Sequence, residues 1–151
     1  MEPMRSCVER LLVNHKPLPA SVGQLIVKCL LNALDWLIER NIYHRDIKGG
    51  NLLIDQNGYV KLADYGAAIN VALSPNLAIK KGTLAFMPPE SFSDDWNVDF
   101  VRFHDPWSVG IVVVEMVTGS HPYEKYSDFP ELAIVTGPAP RLKNNTNKRT
   151  F

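Results

Sequence analysis

Cysteine is scarce in this chain: Cys7 and Cys29 are the only two among 151 residues. They have neither the C-x-x-C spacing of a metal or redox site nor the density of a secreted disulfide scaffold, so both are expected to be free thiols in a reducing compartment. An excess of charge is also lacking. Sixteen Lys and Arg balance sixteen Asp and Glu for a formal charge of zero, which removes any global pull toward nucleic acid or an anionic membrane. The longest apolar run, GIVVVEMVTG, is too short for a bilayer and carries Glu115. The N-terminus has no basic-then-apolar leader, and no repeat or low-complexity tract interrupts the chain. The expectation is a soluble cytoplasmic protein, with no nucleic-acid and no membrane partner, whose partners are chosen by local sites. Glycine-rich phosphate loops are absent too: G-x-G-x-x-G occurs nowhere.

What is present is enough apolar content, 46% of residues, to bury one core. Between Ser21 and Arg40, the residues Val22, Leu25, Ile26, Cys29, Leu30, Ala33, Leu34 and Leu37 recur with helical period, predicting an amphipathic helix. Ser21 with Gln24 fits a capping box, and Asn41 a C-cap. Two short apolar runs, Leu52 to Ile54 and Tyr59 to Leu62, flank Gln56-Asn57-Gly58 and predict a hairpin. From Ala67 to Phe92 the period is lost and prolines stand at 75, 88 and 89; irregular segments of such length are usually functional. DPWSVGIVVVEMVTG, from Asp105, is apolar almost all round. Its valines favour a strand by propensity and its length a buried helix, with Pro106 placed in the first turn. A helical candidate near Phe129 to Val135, a turn at Gly137 to Pro140 and a polar tail follow. In that tail Arg141, Lys143, Lys148 and Arg149 read as a solvated end. The fold class expected is mainly α with a small β-hairpin (α+β).

HRDIKGGN, residues 44–51, carries the chemistry. Phosphoryl transfer requires a group that orients the acceptor hydroxyl, a cation held against the phosphates, and positive charge on the moving group. Asp46 suits the first task, Lys48 contact with the γ-phosphate, and Asn51 metal ligation through its amide oxygen. Asp64 of DYG follows as a second metal ligand, folded back beside Asn51 by the hairpin. The plain alternative is a polar turn after a helix. His15, His104 and His121 show no metal-ligand spacing and read as surface or packing residues.

HRDIKGGN, DYG at 64–66, PPE at 88–90 and DPW at 105–107 stand in the order of HRDxKxxN, DFG, APE and DxW, so the chain resembles the C-terminal lobe of eukaryotic protein kinases. MEPMRSCVERL, VKLADYG and GTLAFMPPE resemble the MAP kinase kinases, and the hinge is most similar to the branch that activates the Jun N-terminal kinases. The resemblance implies ATP and Mg2+ as cofactors. It implies a hinge at 1–4, helices over 5–43, the catalytic loop at 44–51, an activation segment at 64–90 and a buried helix with its following region over 105–151. The Glu2 carbonyl and Met4 amide would meet adenine, with Met1 at the back of that pocket and Cys7 at its rim or idle. His44 would stack on Tyr65, Arg45 would meet a phosphorylated residue of the activation segment, and Asp105 would brace the catalytic loop. Glu90 would seek an arginine of the late lobe. The hydroxyl of Thr83, after Gly82, would bridge Asp46 and Lys48.

Departures from the family pattern also matter. Of two activating hydroxyls only Ser74 matches, because Ala78 occupies the other position, and Gly49 and Gly50 replace the commoner Pro-Ser. No VAIK-type lysine precedes the hinge, and the last helices of the lobe find no counterpart. The expectation is therefore a piece of a kinase, cut at both ends. Two functions follow from the resemblance. The first is an ATP-dependent kinase acting on Ser, Thr and, by the dual-specificity likeness, Tyr of a downstream MAP kinase, itself activated by an upstream kinase at Ser74. The second is a catalytically inactive truncated kinase that binds a substrate or scaffold.

Overall fold

A computed structural model describes residues 4–74, 80–94, 97–126 and 128–142. Two long helices form its axis: α2, Ala20–Ile38, and α3, Val101–Thr118, separated by the whole catalytic segment. α2 buries Ile26, Leu30, Leu34 and Leu37, one stripe at helical spacing, against Val109, Val112 and Met116 of α3 together with Ile47 and Leu52. Each such side chain contributes about 1.5–3 kcal/mol when taken out of water. Leu25, counted on the apolar period, instead faces solvent. By length and composition alone α2 would suffice to cross a membrane, but its apolar stripe is spent on this core.

The ends of α2 depart from expectation. The helix begins at Ala20 with Pro19 as its N-cap, and Ser21 and Gln24 form no capping box. Pro19 does the work through its backbone: its carbonyl accepts from the N–H groups of Val22 and Gly23, both at 3.0 Å, and its fixed φ prepares the entry. The last helical residue is Ile38, after which Asn41 takes a left-handed φ of 56° and closes the turn onto the Ile38 carbonyl at 2.9 Å.

The hairpin is present as β3, Leu52–Asp55, and β4, Val60–Leu62, paired Leu52 to Leu62 and Ile54 to Val60. Asp55 holds its turn, accepting from Asn57 N–H at 2.8 Å and Tyr59 N–H at 3.0 Å. A third strand was not legible in the sequence. β1, Met4–Cys7, lies antiparallel on β3, where helix was expected from residue 5 onward. Four residues are too few to show a period, and pairing with β3 decides their state. α1, Val8–Asn14, follows at once.

α3 settles the valine-rich run as a helix and starts earlier than expected, at Val101, so that Pro106 lies inside it rather than in its first turn. A lead-in 3-10 turn, Val98–Phe100, capped by Asn97 accepting from Asp99 N–H at 2.9 Å, sets that start. α4, Pro130–Thr136, packs Ile134 with Ile111 and Tyr123 in a smaller cluster. Among the described residues, the segment after β4 is largely irregular, as predicted. It contains short 3-10 turns at Tyr65–Ala67, Leu84–Phe86 and Pro89–Phe92, and a strand β5, Ile69–Asn70, paired with β2, Ile42–Tyr43.

Candidate active site

The catalytic loop is held from behind by one buried carboxylate. Asp105, 1% exposed on α3, accepts from His44 N–H through Oδ2 and from Arg45 N–H through Oδ1, both at 2.7 Å. Burial pushes its carboxyl upward, and the two amide bonds pull it back. Between them the backbone of Arg45 is bent to φ 65°, a left-handed value that costs a side-chain-bearing residue about 1–2 kcal/mol. The guanidinium is buried and donates through Nε to the Ala67 carbonyl at 2.7 Å. His44 is fully buried. Its Nδ1 faces the Asp46 N–H at 3.3 Å and must accept, which assigns the ring proton to Nε2, 3.0 Å from the Ala63 carbonyl. Burial lowers the imidazole pKa, and the ring meets Tyr65 edge-on at 4.9 Å. This is a framework role.

Asp46 sits at the centre of a four-residue network. Oδ1 accepts from the Thr83 hydroxyl at 2.7 Å and the Thr83 N–H at 2.9 Å. Oδ2 lies 3.0 Å from Lys48 Nζ and 2.9 Å from Asn51 Nδ2. Lys48 Nζ also donates to the Thr83 hydroxyl at 2.7 Å, so that hydroxyl stands between the acid and the lysine. Burial raises the Asp46 pKa, but the bonds from Thr83, Lys48 and Asn51 outweigh it and hold the carboxyl below its ordinary value. The group is an ionised acceptor with its lone pairs occupied.

Asn51, 8% exposed, spends both amide hydrogens on Asp46, on its carbonyl at 2.8 Å and its carboxylate at 2.9 Å. Its Oδ1 is thereby left as the atom for a cation. The β3–β4 ladder extends to an Ala63 N–H bond with the Asn51 carbonyl at 2.9 Å, which brings the next residue, Asp64, alongside. Asp64 is exposed, has a φ of 63°, and accepts from Gly66 N–H at 3.3 Å. Among the described residues no group of three or more His, Cys, Asp or Glu is placed to hold a metal. Asn51 and Asp64 fit a hard cation that takes its remaining oxygens from phosphates and water.

The glycines have steric causes. A Cβ on Gly82, whose φ is 123°, would collide with the Arg45 carbonyl oxygen, so glycine is what lets Thr83 reach Asp46. Gly49 and Gly50 make room for Glu9 of α1: a Cβ would stand 3.0 Å from the Glu9 backbone nitrogen at the first and 3.0 Å from its Oε2 at the second. Beside them a cavity of about 490 Å³ is lined by Lys48, Thr83, Glu9, Glu115 and Glu124. Burial, followed by the Glu9 charge, pushes Glu115 up to about 7. A larger cavity of about 750 Å³ lies between the end of α3 and α4 and touches none of Asp46, Lys48, Asn51 and Asp64.

Of the remaining predicted residues, Met4 opens β1 opposite Asp55, and Ser74 is half-buried with its N–H on the Asn70 carbonyl at 3.1 Å. Glu2, Ala78 and the basic tail beyond Leu142 lie outside the described residues. Sequence reasoning passed over Ser108 and Glu9, which no motif flags; only the three-dimensional contact reveals them.

The family model for the protein kinase domain matches residues 1–145. The chain is 37% identical to the dual specificity mitogen-activated protein kinase kinase jkk-1 of Caenorhabditis elegans over 163 aligned positions, covering 100% of this chain and 37% of that protein. It is 40% identical over 131 residues to the mitogen-activated protein kinase kinase kinase ANP1 of Arabidopsis thaliana, covering 85% of this chain and 19% of the relative. Against dual specificity mitogen-activated protein kinase kinase 7 of Homo sapiens it is 33% identical over 147 residues, 94% of this chain and 35% of the relative. The chain thus spans between 19% and 37% of the length of these relatives.

Proposed function

The chain belongs to the protein kinase family, and from that premise we propose that it catalyses transfer of the γ-phosphoryl group of ATP to Ser, Thr and Tyr hydroxyls of a MAP kinase. The observation that carries this reading is the ionised Asp46 held by Thr83, Lys48 and Asn51. Bound Mg2+-ATP supplies the phosphoryl group and the cation that neutralises its charge. Asn51 Oδ1 and the Asp64 carboxylate would hold that cation. Lys48, beside Asp46 Oδ2, would offer its charge to a phosphate oxygen, and Asp46 Oδ2 would accept the proton of the acceptor hydroxyl. Thr83 stays on Oδ1 and fixes the carboxylate plane. Glu2 and Met4 meet the adenine through backbone groups. Ser74 is the hydroxyl phosphorylated by an upstream kinase, and Arg45 answers the new charge.

The alternative reading is a module that docks on a MAP kinase without turnover. One experiment separates the two. Phosphate transfer to a purified MAP kinase is measured beside the Asp46→Asn variant, and nucleotide engagement is followed by the side-chain amide resonance of Asn51 on addition of Mg2+-ATP. Asp46→Asn should abolish transfer and leave the Asn51 response, whereas Asp64→Asn should weaken both. Equal loss of the Asn51 response in the two variants refutes the assigned roles. Binding to the MAP kinase with transfer no greater than that of Asp46→Asn decides for the docking module.

A further inference from the structure

Ser108 is 0% exposed, on α3 one turn beyond Asp105. A serine inside a helix ordinarily bonds back to the carbonyl four residues earlier, here that of His104, which lies 3.0 Å from the hydroxyl. The shorter contact goes elsewhere: the hydroxyl donates to the Phe86 carbonyl at 2.7 Å, across to the activation segment. Phe86 closes the 3-10 turn Leu84–Phe86, and its N–H returns to the Thr83 carbonyl at 2.9 Å. Thr83 is the residue that places two bonds on Asp46. The ring of Phe86 meets His121 edge-on at 4.9 Å and packs on both apolar clusters, so the turn has little freedom apart from its carbonyl end. One helix therefore reaches Asp46 from two sides, through Asp105 at the backbone of residues 44 and 45 and through Ser108 at the turn that carries Thr83.

We propose that Ser108 is a positioning residue for phosphoryl transfer, fixing the Asp46 carboxylate through the 84–86 turn and Thr83. The inference rests on Asp46 being the group that meets the acceptor hydroxyl. A buried hydroxyl with a merely local role would satisfy itself on His104 and leave Asp46 indifferent to its removal.

The readout is the Thr83 amide resonance together with the chemical shift of the Asp46 carboxyl carbon at a single neutral pH. Both report geometry and neither depends on turnover. A failure of the kinase reading, seen as transfer that survives Asp46→Asn, is thus distinct from a failure here. Ser108→Ala should shift the Thr83 amide upfield as its bond to Asp46 lengthens, and displace the Asp46 carboxyl carbon resonance with it. Ser108→Thr, which keeps the hydroxyl, should restore both. Ile26→Val, a mild core truncation in α2, should leave both unchanged. Should Ser108→Ala fail to fold, Ser108→Cys, a weaker donor of similar size, should displace both resonances in the same direction. The proposal is overturned if the folded Ala or Cys variant leaves Asp46 and Thr83 where they were, or if Ile26→Val moves them equally.

Discussion

Replacing Asp105 by asparagine tests how much of the catalytic loop depends on a single carboxylate. The change preserves shape and removes one acceptor. Oδ1 and Oδ2 of Asp105 each take one backbone N–H at 2.7 Å in a site that is 1% exposed. In asparagine one of those atoms becomes an NH2 group facing an N–H, donor against donor. A buried amide left without an acceptor costs about 1–3 kcal/mol, and the surviving bond, now to a neutral group, weakens by about 1 kcal/mol. Part of this is recovered if Arg45 relaxes from its φ of 65°, strain worth about 1–2 kcal/mol. The expected net loss is about 2–3 kcal/mol, seen as a lower urea midpoint at constant m-value. Amide exchange should show one of His44 and Arg45 losing protection while Leu30 and Leu34 in α2 keep theirs. A loss below about 1 kcal/mol with both loop amides still protected would refute the brace.

Gly82→Ala should detach Thr83 from Asp46, because its Cβ meets the Arg45 carbonyl oxygen at a φ of 123°; the Thr83 amide resonance should move upfield and stability fall by about 1–3 kcal/mol. An unmoved Thr83 amide would show that the turn has room to spare. His104 predicts an acid sensitivity. Burial first, then the Arg45 charge, lowers its pKa from 6.5 to about 4. The stability it contributes as a neutral ring is present above the unfolded value and lost as pH falls through the folded one. Between pH 7 and 5 this amounts to about 2 kcal/mol. His104→Leu should remove that share of the acid loss in paired urea titrations at the two pH values, and an identical loss in both proteins contradicts it.

The elements that were legible in the sequence are those whose signal is local and repeated. The α2 stripe, the Asn57-Gly58 hairpin and the irregular stretch around Thr83 each carry their cause within a few residues. β1 was not legible, since MRSC acquires strand structure only from β3, some fifty residues downstream. The start of α3 is not legible either, since DPW marks Asp105 whereas the lead-in sits at Asn97. At the site, Asp46, Lys48, Asn51 and Asp64 were named by motif. The reason for Gly49 and Gly50, namely the approach of Glu9, and the bond from Ser108 to Phe86 belong to packing between distant segments, which no spacing rule reports.

The span between Asp105 and the amides it holds is 60 and 61 residues, and this has a consequence in time. The left-handed bend at Arg45 has no local cause, so a nascent chain already carrying Asp46, Lys48, Asn51 and Asp64 has the reagents without the arrangement. At about 5–20 residues per second, roughly 3–12 s pass between synthesis of the loop and synthesis of its brace, with residues 44–51 free to take other backbone states meanwhile. The site takes its arrangement only when α3 docks and Asp105 reaches these two amides.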